Sequence, residues 1–146
     1  MLKRMLEESE EREQMPVAIR ERLRSLEGAR GSIVVVGSMN ADYTVAAKHL
    51  PAPGETVSGG SLKILPGGKG SNQASAAARL GAQVCMLGAV GADAFGDQMI
   101  AGLAEHGVTC EYITRSESCP TGVAIITRVC GDNFITIDAG ANASTR

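Results

Sequence analysis

Two uninterrupted apolar runs, Ile33–Val36 and Val84–Val90, stand on either side of an alanine-rich stretch that a glycine cluster opens and a single glycine closes. A run without polar alternation suits a strand buried on both faces, as parallel strands are when helices cover them. Between the runs, Ala74, Ala76, Ala77, Ala78 and Leu80 are strong helix formers and Gly81 supplies a left-handed stop, which predicts a helix over residues 71–80. Strand, excursion, helix and strand make a right-handed crossover unit. The expected fold is therefore α/β, with a Rossmann-like, doubly wound, mostly parallel sheet.

The excursion reads as two short strands, Asp42 to Ala47 and Glu55 to Leu65, separated by the turn Pro51-Ala52-Pro53-Gly54. After the second buried run, Asp93 can cap a helix whose Phe95, Met99, Ile100 and Leu103 share a face until Gly107. A further strand is predicted from Cys110 to Thr114. Thr121 to Val129 and Phe134 to Asp138 are rich in β-branched residues, and Cys130-Gly131-Asp132-Asn133 joins them as a hairpin.

Residues 1–30 differ in texture, holding seven Lys/Arg and seven Glu, so they are set apart as a charged helical extension or linker from a domain over residues 31–146. Leu2, Met5 and Leu6, then Ile19, Leu23 and Leu26 after Pro16, fall at helical spacing. The net charge of −2 gives no electrostatic ground for a nucleic-acid or acidic-membrane partner. No stretch reaches the roughly 18 apolar residues that span a bilayer, and no leader pattern opens the chain. A cytoplasmic location is expected. Cys85, Cys110, Cys119 and Cys130 form no Cys-x-x-Cys pair and have only His49 and His106 for company, so they read as reduced thiols rather than a metal site.

Two clusters carry chemistry. Gly37-Ser38-Met39-Asn40-Ala41-Asp42 follows the first buried strand, where open α/β sheets place their ligands, and the short side chains of Asn40 and Asp42 can exchange hydrogen bonds with hydroxyls. Taken alone, the same residues read as ordinary turn formers after a strand. Pro66-Gly67-Gly68-Lys69-Gly70-Ser71-Asn72 opens the helix: glycines admit a ligand to the backbone, free N–H groups point outward, and Lys69 and Asn72 add polar contacts. Lys69 is followed by Gly70 rather than Ser or Thr, and no Gly-x-Gly-x-x-Gly occurs, so this is neither a P-loop nor a dinucleotide fingerprint. As an isolated feature it is also an ordinary glycine turn and cap. Asp93 and Asp97 suit the dipole of a helix N-terminus, His106 a helix C-terminus, and neither histidine is a candidate for catalysis.

In series, Gly37 to Asp42, Pro53-Gly54-Glu55-Thr56, Gly67 to Ala74, Gly88 to Asp93 with Phe95-Gly96, Thr121 to Ala124 and Asp138 to Ala143 resemble the N-terminal signatures of the ribokinase-like, or PfkB, carbohydrate kinases. The resemblance runs from about Ser32 to the end. It implies ATP-dependent phosphorylation of a sugar's primary hydroxyl, the 5-hydroxyl of D-ribose being favoured. It also implies a small β-sheet lid over residues 42–65 and 121–138, including Val45, Thr56, Ile125 and Ile135, which excludes water and pairs two subunits into a homodimer. Asn40, Asp42, Gly68, Lys69 and Asn72 match the family's sugar ligands.

The family's Gly-Ala-Gly-Asp motif, which carries the catalytic base and phosphoryl-stabilising amides, has no counterpart in these 146 residues. No catalytic, nucleotide or metal residue is therefore assigned to the chain, and ATP, Mg2+ and a monovalent cation such as K+ are implied for the complete family enzyme only. Asp138, at the exit of the lid hairpin, receives no catalytic role. The expectation is the N-terminal, sugar-binding half of such a kinase, inactive alone. A sibling sugar or nucleoside kinase, or a non-enzymatic sugar-binding or dimerisation module, remain the alternatives.

Overall fold

The computed structural model describes residues 32–145, and the predicted helical extension over residues 1–30 lies outside them. The order of elements is β1 (Ser32–Val36), β2 (Asn40–Ala46), β3 (Lys63–Gly67), α1 (Lys69–Arg79), β4 (Gln83–Gly91), α2 (Ala94–Glu105), β5 (Val108–Thr109), β6 (Ile113–Ser116), β7 (Gly122–Val129), β8 (Asp132–Asp138) and a 3-10 turn at Gly140–Thr145.

Both apolar runs pair as expected. β1 lies parallel to β4 in the register Ser32↔Gln83 to Val36↔Leu87, and β5 and β6 add to β4, also parallel. Along β4, Val84, Met86 and Val90 meet Ala74 of α1 and Met99 and Leu103 of α2 in the main core, with Val35, Met39, Val108 and Ile113 completing it. Cys85, Leu87 and Ala89 alternate to the opposite face and are also buried, and the Gly140–Thr145 turn packs against this strand. The parallel α/β expectation holds.

A second sheet, ordered β3-β2-β7-β8, stands beside the first. β2 runs antiparallel to β3 but parallel to β7, and β7 and β8 form a hairpin. The hairpin turns through Cys130 and Gly131 with φ of 50° and 91°, the two positive values that a two-residue type I′ connection requires. Tyr43 of β2 leans edge-on against Phe95 of α2, with centroids 5.7 Å apart, and so ties this sheet to the body. Among the described residues no helix is long and apolar enough to cross a membrane.

Several predicted boundaries are corrected: β2 begins at Asn40 rather than Asp42, and Asp132 and Asn133 belong to β8 rather than to the connection before it. The strand read over Glu55 to Leu65 is confined to Lys63–Gly67; residues 55–62 lie outside any ladder, although Gly60 N–H still reaches the Ala46 carbonyl. Residues 110–114 do not form one strand, because Ile113 N–H closes a turn on the Cys110 carbonyl between β5 and β6. Helix α1 begins two residues before Ser71. Gly68 is its N-cap, while the Ser71 hydroxyl turns back to the carbonyls of Gly67 and Gly68 instead of capping.

Candidate sugar-binding site

The second sheet places Asn40 and Asp42 on one face of β2, two residues apart, with Ala41 and Tyr43 on the other. Asn40 stands opposite Gly67 of β3 and Gly122 of β7, and Asp42 opposite Leu65 and Ala124. The glycines make the room. A side chain at Gly67 would collide with the Asp42 carboxylate, and one at Gly122 would come within 2.6 Å of Asn40 Oδ1 and onto the Asn142 amide. The two polar side chains thus lie over backbone.

Gly68 brings the N-terminus of α1 to the same place. Its φ of 94° belongs to the left-handed region, and a Cβ there would meet backbone alone: Ser38 O at 2.6 Å, Met39 Cα at 2.9 Å and Asn40 N at 3.0 Å. Ser71 N–H donates to the Ser38 carbonyl, so the loop after β1 and the first turn of α1 are held together. Lys69, the first residue of α1, is exposed beside this junction. Asn72 is exposed one turn on and lines a groove of about 400 Å³ between α1 and α2, together with Leu65, Arg79, Met99 and His106. The structure therefore brings Asn40, Asp42 and the Gly68 backbone together, sets Lys69 at the rim, and leaves Asn72 facing the inter-helix groove.

Asp42 is half-buried, and among the described residues its carboxylate accepts no hydrogen bond. Burial pushes its pKa above the ordinary aspartate value. A partly desolvated carboxylate without a partner is an acceptor awaiting donors, and hydroxyl groups supply them.

Asn40 has a partner that sequence reasoning did not find. The Asn142 side chain, from the turn after β8, accepts from Met39 N–H at 2.9 Å through Oδ1. Its Nδ2 donates to the Met39 and Ala139 carbonyls at 3.0 Å each and to Asn40 Oδ1 at 2.9 Å. Asn142 belongs to the Asp138-to-Ala143 motif, but a contact across 103 residues leaves no local signal. Asp93 forms a second knot. It caps α2 through Gly96 N–H and accepts from both the backbone and hydroxyl of Thr121, whose oxygen in turn accepts from Gly91 N–H. Burial raises the Asp93 pKa, but the hydrogen bonds from Thr121, Gly96 and Phe95 outweigh it and hold the carboxyl below its ordinary value.

His106 takes the C-cap position of α2, as its place before Gly107 suggests, and exposed His49 pairs with Glu55 at 2.9 Å. Cys85 is buried, and desolvation, with smaller contributions from Glu111 and Cys110, pushes its thiol up to about 11. Among the described residues no three His, Cys, Asp or Glu side chains gather as a metal site would need.

The family described as pfkB family carbohydrate kinase matches residues 30–146. The ribokinase of Bacillus subtilis is 45% identical over 111 residues, covering 76% of this chain and 38% of its own length. That of Schizosaccharomyces pombe is 44% identical over 120 residues, covering 77% and 38%. Among solved structures, Arabidopsis thaliana ribokinase complexed with ribose and ATP superposes with a TM-score of 0.66 at 40% identity, over 75% of this chain and 36% of that one. The chain thus spans under two-fifths of the length of these relatives. With the match extending over residues 30–146, which include both sheets and the candidate site, the chain belongs to the pfkB family of carbohydrate kinases.

Proposed function

We propose that this chain is the sugar-binding portion of an ATP-dependent kinase that phosphorylates the 5-hydroxyl of D-ribose. The observation that carries the reading is the unpartnered, half-buried Asp42 carboxylate beside Asn40, over Gly67 and Gly122 and against the N-terminus of α1. A carboxylate can accept from two hydroxyls of one sugar, and the Gly68 backbone lets the ring approach closely. Lys69 supplies a charged donor at the rim, and Asn72 would reach the sugar only by turning its side chain out of the groove between α1 and α2.

The β3-β2-β7-β8 sheet is the lid on this view, shielding the reacting hydroxyl from water that would otherwise hydrolyse ATP. Its exposed Ile64, Ile125, Phe134, Ile135 and Ile137 support pairing of two copies through it. The general base, the ATP site, Mg2+ and a monovalent cation such as K+ belong to the remainder of the kinase. The same reading places the enzyme in the cytoplasm with a small sugar, and not nucleic acid, as its partner.

The test is titration of the purified chain with D-ribose, followed by NMR, with 2-deoxy-D-ribose and adenosine as parallel arms. D-ribose should shift resonances of Asn40, Asp42 and Gly68, and Asp42→Asn should weaken binding by at least about tenfold, or about 1.4 kcal/mol. Adenosine binding more tightly than either pentose would move the substrate to the nucleoside class. Indifference of D-ribose binding to Asp42→Asn would remove the main support for a sugar site here.

A further inference from the structure

We infer that Asn142 is a positioning residue for the sugar site: it fixes the Asn40 amide so that Asn40 offers its Nδ2 donor, and not its oxygen, to the ligand. The inference rests on reading Asn40 and Asp42 as sugar ligands.

The orientation follows from backbone groups that have no choice of role. Met39 N–H can only donate, so the Asn142 atom it meets at 2.9 Å is the oxygen. The Met39 and Ala139 carbonyls can only accept, so the atom 3.0 Å from both is the Asn142 nitrogen. That nitrogen is also 2.9 Å from the Asn40 side chain, which must therefore turn its oxygen inward. Asn40 Nδ2 is left directed away from Asn142, and no protein partner takes it among the described residues. Gly122 keeps the passage open, since a Cβ there would strike both amides.

The consequence is a matched pair. Asn40 presents a donor and Asp42, two residues on along the same face, presents an acceptor. Adjacent hydroxyls on a furanose ring suit that arrangement, one oxygen accepting from Asn40 while a hydroxyl proton goes to Asp42. A flipped Asn40 would set two acceptors side by side and lose one of the bonds.

Three measurements on the chain separate this from a merely structural role. In the wild type, D-ribose should move the Asn40 side-chain amide resonances while those of Asn142 stay in place and exchange slowly with solvent. Asn142→Asp keeps the oxygen for Met39 N–H but puts an acceptor where the donor stood. It should turn Asn40 over and raise the Kd for D-ribose about tenfold. In an Asn40→Ala background the same substitution should change the Kd by less than about twofold, because the amide it orients is gone. Equal factors in the two backgrounds would overturn the proposal. Should Asn142→Asp fail to fold, the wild-type spectrum decides. An Asn40 amide unmoved by D-ribose while the Asp42 carboxyl carbon shifts sinks the positioning role and leaves the sugar reading standing. If neither residue responds to D-ribose, the reading itself is wrong and the inference goes with it.

Discussion

Three glycines in and around α1 allow backbone strain and steric collision to be weighed separately. Gly81, just past the helix, has φ of 89° but nothing within 4 Å of a Cβ, so Gly81→Ala carries strain alone, about 1 to 2 kcal/mol. Gly70 has no positive φ, yet its Cβ would stand 2.6 Å from the Gly37 carbonyl carbon and 2.8 Å from Gly37 Cα, both backbone atoms that cannot rotate away. Overpacking of that kind costs about 1 to 3 kcal/mol, offset slightly by alanine's better helix propensity. Gly68 combines the two, with φ of 94° and three backbone atoms at 2.6 to 3.0 Å. Gly68→Ala should therefore cost about 2 to 5 kcal/mol, a large share of the roughly 5 to 15 kcal/mol that holds a domain together. Urea denaturation at one protein concentration, with a common slope, measures all three. The order expected is Gly68→Ala well above Gly81→Ala, by 1 kcal/mol or more. If the two fell within about 0.5 kcal/mol of each other, the Gly68 approach to Ser38, Met39 and Asn40 could not be as close as described.

Asp93→Ala removes the α2 cap and strands Thr121 N–H, and should cost about 2 to 4 kcal/mol by chemical denaturation. Because the folded carboxyl titrates below its ordinary value, the wild type should lose this contribution as pH falls through that lowered value. The variant should lack that part of the acid dependence. Burial moves Asp42 the other way, so D-ribose binding should begin to weaken, on acidification, at a pH above the ordinary aspartate value of 3.8, which calorimetric titrations across that range would detect. A thiol reagent at pH 8 should label exposed Cys119 and Cys130 quickly and spare Cys85, held near 11 by burial, as peptide mass mapping will show. Ile137→Asp, at an exposed position of β8, should shift any self-association seen by sedimentation toward monomer.

What the sequence made legible was whatever local physics decides. β1, β4 and the bodies of both helices are written in apolar runs, alanines and caps, and the Asp93 cap and the left-handed Gly81 and Gly107 fall where the residue types put them. The start of α1 lies two residues before the predicted Ser71, because Lys69 and Gly70 follow a glycine run that reads as loop, while Gly68 caps only through its backbone and a positive φ. Residues 55–62 looked extended but include Gly59 and Gly60, which lie against Val45 and Ala46 without joining a ladder. Of the site, Asn40, Asp42 and Gly68 were legible as motif residues. Their convergence was not, since it depends on the parallel pairing of β2 with β7 and on the Asn142 contact, neither of which has a short-range signature.

The chain passes between the second sheet and the rest of the molecule four times: from β1 into β2, from β3 into α1, from β6 into β7, and from β8 into the final turn. On the second sheet all four crossings fall at one end, around the row that aligns Gly67, Asn40 and Gly122, with Asp138 beside Val123. That row is a hinge axis in the geometric sense. The eight residues of β7 reach about 25 Å from it, at about 3.3 Å each, so a rotation of about 20° would sweep the hairpin tip through about 9 Å. The same rotation would carry Asp42 only about 2 Å and leave Asn40 and Gly68 almost still. It would also part Tyr43 from Phe95, a contact of about 0.5 to 1.5 kcal/mol, small enough for a bound ligand to offset. On the proposed sugar-binding reading, recognition and enclosure would be separated along one lever: the groups that meet the sugar would sit at the fulcrum, and the surface that covers it would travel at the far end.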